Sequence, residues 1–268
     1  MSKIIFKSLS SGSCGNCYYL AIADDNGGRI PILIDAGVSP RRFKKEMMLH
    51  GISAEEVRGI LITHDHMDHI RSLGSYCKHH RWPVWATPKL HQALAGHTMT
   101  RLQIAHYRKE LQDGWNEIVP GRIKVRWFEV PHDATQTVGY AIMLDDFKFV
   151  IMTDLGRMTA EGMAYASQAD AVVIESNYDL EMLRNGPYPV ELQDRICLGN
   201  GHLSNDECAR AIRKFWHESL GFVFLCHLSE HNNTPELALE CSRGSINSPT
   251  RLIALPRERA SELFSLSL

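Results

Sequence analysis

The chain has 268 residues, 44% hydrophobic and 22% charged, with a formal net charge of −2. That length and balance fit one globular domain over residues 1–268 with a sizeable core, and the charge excludes a global electrostatic footprint for nucleic acid, so such binding must come from local patches or a bound metal. Seven scattered cysteines, no signal-peptide pattern in "MSKIIFKSLSSGS" and no apolar run of about 18 residues point to the cytoplasm and away from membranes.

In chain order, "KIIFKSL", "YYLAIA" and "IPILIDA" read as strands joined by Gly-, Asn- and Asp-rich turns. The "SSGSCGNC" between the first two carries Cys14 and Cys17 in Cys-x-x-Cys spacing. A redox pair of that spacing opens a helix, whereas a strand follows here. A structural zinc needs two more Cys or His partners, and there is no second Cys-x-x-Cys. The stretch therefore reads as a turn. "SPRRFKKEMMLHG" follows as a helix ending at Gly51, "SAEE" as a capping box, "VRGILIT" as a strand, "IRSLGSYCKHH" as one helix and "VWA" as a short strand. Three consecutive strands, "RIKVRWFEV", "TVGYAIML" and "FKFVIMTD", occupy the middle. Then come the helix "TAEGMAYASQ", the strand "ADAVVIES", and a second capping box, "SNDE", opening the helix "ECARAIRKFWHES" with Gly221 past its end. "FVFLC", "TPELALECSR" and "RLIAL" close the pattern as strand, helix and strand. Long β-runs with interspersed helices predict packed sheets with helices outside.

The strongest chemical signal is "ILITHDHMDHI", which places His64, His66, Asp68 and His69 directly after an apolar strand. One tetrahedral metal cannot accept all four comfortably, but two adjacent metals can, and nitrogen with carboxylate donors suits zinc, manganese or iron. His132 in "FEVPHDA", Asp154 in "FVIMTDLG" and His227 in "FVFLCHLSEHNN" each lie just beyond a strand. Together they make seven ligands, the number two metals sharing one carboxylate would use.

These motifs resemble the metallo-β-lactamase superfamily, whose His-x-His-x-Asp-His is followed by a His, an Asp and a final His at strand ends. The resemblance implies a four-layer αββα sandwich of the α/β (α+β) class. It assigns His64, His66 and His132 to a first metal, Asp68, His69 and His227 to a second, and Asp154 to a bridge. Asp35, ending "ILIDAG", matches the superfamily's supporting early Asp. "SSGSCGN", "ESNYDLEMLRNGPYP", "GHLSNDE" and "HLSEHNN" further resemble the YycJ/WalJ branch of bacterial cytoplasmic proteins, which implies a metal-dependent DNA exonuclease of 5′-to-3′ polarity.

Two such divalent ions, Zn²⁺, Mn²⁺ or Fe²⁺, share a hydroxide that attacks phosphorus. Asp68 is expected to take part in catalysis as well as ligation. His202 in "GNGHLSN" is the expected proton donor to the leaving oxygen, with His231 sharing that work or binding phosphate beside Ser229 and Asn232. Glu175 is expected to orient a ligand histidine. Gly12 and Gly15 free backbone amides near Ser13 and Asn16, giving these two an expected phosphate contact. The basic runs Arg41, Arg42, Lys44, Lys45 and Lys78–Arg81 are candidate strand contacts. The motif lacks the Gly-Gly of glyoxalase II-like relatives, and position 66 is His where diiron oxidoreductases carry Glu. Hydrolysis of a small ester, thioester or phosphodiester is the enzymatic alternative, and a non-catalytic binding or regulatory module on the same fold is the alternative of another class.

Overall fold

A computed structural model describes residues 3–24 and 26–266. Its first sheet is built from β1 (Lys3–Gly12), β2 (Gly15–Ala23), β3 (Arg29–Ile34), β4 (Ile60–Leu61), β5 (Val84–Ala86), β6 (Arg108–Glu110) and β14 (Phe264–Ser265), ordered β14-β1-β2-β3-β4-β5-β6. Its second is built from β7 (Asn116–Val119), β8 (Ile123–Glu129), β9 (Val138–Leu144), β10 (Phe147–Met152), β11 (Ala171–Glu175), β12 (Phe222–Cys226) and β13 (Arg251–Ala254), ordered β13-β12-β11-β10-β9-β8-β7. β3 to β6 run parallel, as do β10 to β13, and the remaining pairs are antiparallel.

Period-two alternation decides which face each residue takes. Phe149, Ile151, Val173 and Phe224 point between the sheets, while Val150, Met152, Val172 and Leu225 face the outer helices. The sheets meet through aromatic contacts, with Phe6 of β1 5.4 Å from Phe149 and 4.8 Å from Phe224 between ring centroids. Outside the first sheet lie α1 (Pro40–Met48), α2 (Met67–Ile70), α3 (Leu73–His80) and α4 (Pro88–Gly96). Phe43 and Tyr76 pack there edge-on at 6.1 Å. Outside the second lie α5 (Ala160–Ala166), α8 (Asn205–Phe215) and α9 (Pro235–Arg243), with α6 (Leu180–Asn185) and α7 (Val190–Cys197) following β11 as a helical hairpin. The result is the expected αββα sandwich. Among the described residues no helix is long and apolar enough to cross a membrane.

Three elements depart from the sequence pattern, each for a local reason. The apolar "VRGILIT" pairs only over Ile60–Leu61, because the Thr63 N–H leaves the ladder to bond Asp35 Oδ1 at 2.8 Å. "IRSLGSYCKHH" breaks into α2 and α3, with Ser72 N–H donating to Ala36 O at 3.0 Å between them. α8 stops at Phe215, well before Gly221, where Trp216 turns extended and its indole N–H bonds Thr250 Oγ1 at 3.0 Å. Helices α4, α6 and α7 were not expected, although Thr87–Pro88 and Asp179 are N-cap signals in the sequence.

Candidate metal centre

The carboxyl ends of the parallel strands from both sheets converge on one cleft. β3 delivers Asp35, β4 the loop from Thr63 to His69, β10 Asp154, β11 Glu175 and β12 His227. Asp35, Asp154 and His227 all take positive φ, at 62°, 51° and 53°. Non-glycine residues hold that conformation only where surrounding structure enforces it, and here it ends each strand in a turn at the cleft.

Two donor triads meet there. The donor atoms of His64, His66 and His132 all lie within 4.8 Å of one another, and so do those of Asp68, His69 and His227. Asp154 joins them. Its Oδ1 is 3.7 Å from His132 Nε2 and 3.5 Å from His227 Nδ1, while its Oδ2 is 3.2 Å from His69 Nε2. His64 Nε2 and His227 Nε2 are buried without a hydrogen-bond partner among the described residues. Such orphaned imidazole nitrogens, amid carboxylates, are the donors a divalent metal requires.

A second layer fixes the ring orientations. Asp35, fully buried, accepts from His69 Nδ1 (2.7 Å), the Thr63 N–H (2.8 Å) and the Thr63 hydroxyl (2.8 Å), leaving His69 Nε2 toward the centre. His132 Nδ1 donates to Gly201 O at 2.8 Å. Glu175 Oε1 receives His202 Nδ1 at 2.7 Å and His227 Nδ1 at 2.9 Å, while Oε2 accepts the Leu155 and Leu203 N–H groups at 2.7 and 3.1 Å. The β1–β2 hairpin contributes from the other side. The buried Asn16 amide donates to Asp68 Oδ2 at 2.9 Å, and Ser11 Oγ accepts the His227 N–H at 3.0 Å. The loop after β3 needs glycine where it passes between that hairpin and Asp68. A Cβ on Gly37 would stand 1.8 Å from Asp68 O and 2.5 Å from Asn16 N.

Charge in this cluster is strongly redistributed. Burial and the neighbouring His69 push His64 well below the ordinary histidine range, so its ring is neutral. Burial opposes the charged form of His227, but Asp154, Asp68 and Glu175 outweigh it and push it up to about 10. Glu175 is held down at about 2, its burial offset by His202 and His227. His202 is raised, since Glu175 outweighs the burial that opposes its imidazolium.

A sequence profile of the beta-lactamase superfamily domain matches residues 31–223. The exodeoxyribonuclease WalJ of Streptococcus pneumoniae serotype 2 (strain D39) is 33% identical over 240 residues, covering 89% of this chain and 87% of that protein. The exodeoxyribonuclease YycJ of Bacillus anthracis is 33% identical over 236 residues, covering 87% and 85%. This chain belongs to the metallo-β-lactamase superfamily, in its WalJ/YycJ branch. Its fold matches the crystal structure of the metallo-β-lactamase fold protein YhfI from Bacillus subtilis with a TM-score of 0.70 at 14% identity, over 99% of this chain and all of that one.

The cluster of donors that could hold divalent metal lies beneath a cavity of about 320 Å³. Of the residues singled out in the sequence, His66, Asp68, His132, Asp154, His202, His227, Ser13 and Ser229 line that cavity. His64, His69, Asp35 and Glu175 lie behind it, with no exposure or none to speak of.

The structure places three expected substrate contacts outside the cavity lining. Asn16 is fully buried and holds Asp68, so it does not face a phosphate. Asn232 is 1% exposed, with its amide donating to Ser229 Oγ at 3.2 Å. His231 is exposed but is not among the lining residues, and its ring stands edge-on to Tyr188 at 5.9 Å between centroids. Neither basic run lines the cavity, and Arg42 spends its guanidinium on Leu9 O at 2.7 Å and on Glu258 O. Cys14 is exposed in the turn while Cys17 is buried in β2, where burial raises its thiol pKa.

Sequence reading missed Thr63, Ser11, Asp133, Tyr188, Leu192 and Arg195. Thr63 and Asp133, adjacent to His64 and His132, carried a positional hint.

Proposed function

We propose that this chain is a DNA exonuclease with two divalent metal ions, Zn²⁺, Mn²⁺ or Fe²⁺, acting in the cytoplasm from a 5′ end, with the whole chain working as one domain. In this reading His64, His66 and His132 would hold one ion and Asp68, His69 and His227 the other, with the Asp154 carboxylate placed between the two triads. Paired ions activate water and stabilise the charge developing on a phosphodiester. The protein's part is positional and protonic. Asp35 and Glu175 hold ligand rings by their Nδ1 hydrogens, which keeps the opposite nitrogens available as donors. Glu175 also favours protonated His202, whose ring lines the cavity and whose remaining N–H serves the departing oxygen. Ser13 and Ser229, on the cavity wall, are left to contact phosphate.

The observation that carries this reading is the seven-donor centre at the floor of an open cavity, with Asp154 between the triads. The 33% identity to WalJ across 89% of the chain supports DNA as the substrate class. The test uses end-labelled duplex and single-stranded DNA with Mn²⁺ or Zn²⁺. Nucleotide release is expected with metal, and loss of release with a chelator and in His66→Ala. Absence of release from protein shown to hold two ions sinks the proposal.

A further inference from the structure

The cavity has two chemically different parts. Its floor is imidazole and carboxylate, and one wall is Tyr188, Leu192 and Ile196, carried by α7 and the loop before it. Nothing in the metal centre uses that wall. It is nonetheless held in place. Gln193 Nε2 donates to Tyr188 O at 2.9 Å, Arg184 pairs with Asp194 at 2.8 Å, and Arg195 Nε donates to Asp133 Oδ2 at 2.6 Å, beside His132. α7 buries Gln193 but leaves Leu192 37% exposed, so its apolar surface is turned toward the cavity mouth instead of a core.

A phosphodiester engages the floor. The wall can be met only by an apolar portion of the same substrate, lying within one cavity of the scissile phosphate. In a nucleic acid that portion is the base, and an aromatic ring is a stacking partner that tolerates any base. We infer that Tyr188, with Leu192 and Ile196, forms the subsite for the terminal nucleobase, seating the nucleotide to be removed without reading its identity. The inference rests on the nuclease reading above and deepens it. It makes the enzyme indifferent to terminal sequence but sensitive to a missing terminal base.

The test compares removal of the terminal residue from two single strands, one ending in thymidine and one in an abasic tetrahydrofuran residue, with Mn²⁺-loaded protein. The wild type is expected to favour the base-bearing end by about tenfold in kcat/KM, the scale of one base–aromatic stack. Tyr188→Ala is expected to bring that ratio close to one, Tyr188→Phe to restore it, and Leu192→Gln, at an exposed position, to reduce it. Metal content and the thermal midpoint of each variant are measured alongside, so loss of the fold is seen directly. Release at equal rates from both ends by the wild type, or full preference in Tyr188→Ala, overturns the inference alone. No release from either end by metal-loaded wild type, with the strands single or annealed into duplexes, overturns the nuclease reading and this subsite with it.

Discussion

Asp35 shows how much of this centre depends on single side chains outside the ligand set. It sits at φ 62°, fully buried, and its two oxygens receive three hydrogen bonds, one of them from His69. Asp35→Asn removes an acceptor where buried donors need one. It is expected to weaken metal binding by about 10–100-fold and to cost about 1–3 kcal/mol of stability, read by competition with a chelating dye and by denaturant unfolding. Asn16→Ala frees Asp68 and is expected to lower metal affinity in the same assay, in the Asp68–His69–His227 triad. His227 stands at about 10 without metal, so a metal ion entering at neutral pH must displace its proton. Loading is therefore expected to release protons, and apparent affinity to rise with pH until His227 loses its proton unaided. Calorimetric titrations in buffers of different ionisation enthalpy measure this. The seven expected donors stood out in the sequence because ligand chemistry demands particular residue types close together, and the fold brings their side chains into one cleft. Ser11, Thr63 and Asn16 were not legible in these roles, since a hydroxyl or amide acquires its meaning from what folds against it.

At the scale of elements, the strands and the "SNDE" capping box were readable because alternation and capping are local. In the structure Ser204 and Glu207 form that box at the start of α8, directly after His202 and Leu203. Ser204→Ala is expected to cost about 1 kcal/mol of stability, measured by urea unfolding. Arg184 pairs with Asp194 across the α6–α7 hairpin with nearly half of each side chain exposed. Arg184→Ala is accordingly expected to change stability by less than about 0.5 kcal/mol. The hairpin itself escaped the sequence pattern. Of α6 only Leu183 is buried, and of α7 only Gln193, so neither helix carries the apolar stripe that marks a helix packed on a core.

At the scale of the molecule, the two sheets share a core in which Phe6 bridges β10 and β12. Phe6→Ala is expected to cost about 3–5 kcal/mol, with metal affinity changed little if the variant remains folded. The donor cluster lies at the strand ends of the same sheets and draws side chains from both, so a metal held there would tie the sandwich together. Ligand occupancy at 100 times Kd adds about 2.7 kcal/mol, and chelation is expected to lower the thermal midpoint measurably. The amino-acid order alone pointed to packed sheets under helices and to a set of candidate donors, and the family resemblance carried by those donors implied the αββα sandwich. Period-two apolar runs admit few packings, and four ligand-type residues within six positions have few other uses. Folding in three dimensions decided the rest. It turned Asn16 inward to Asp68, left His231 out of the cavity lining, and raised an apolar wall beside the donors. Those outcomes depend on which distant segments meet, and no local spacing encodes that.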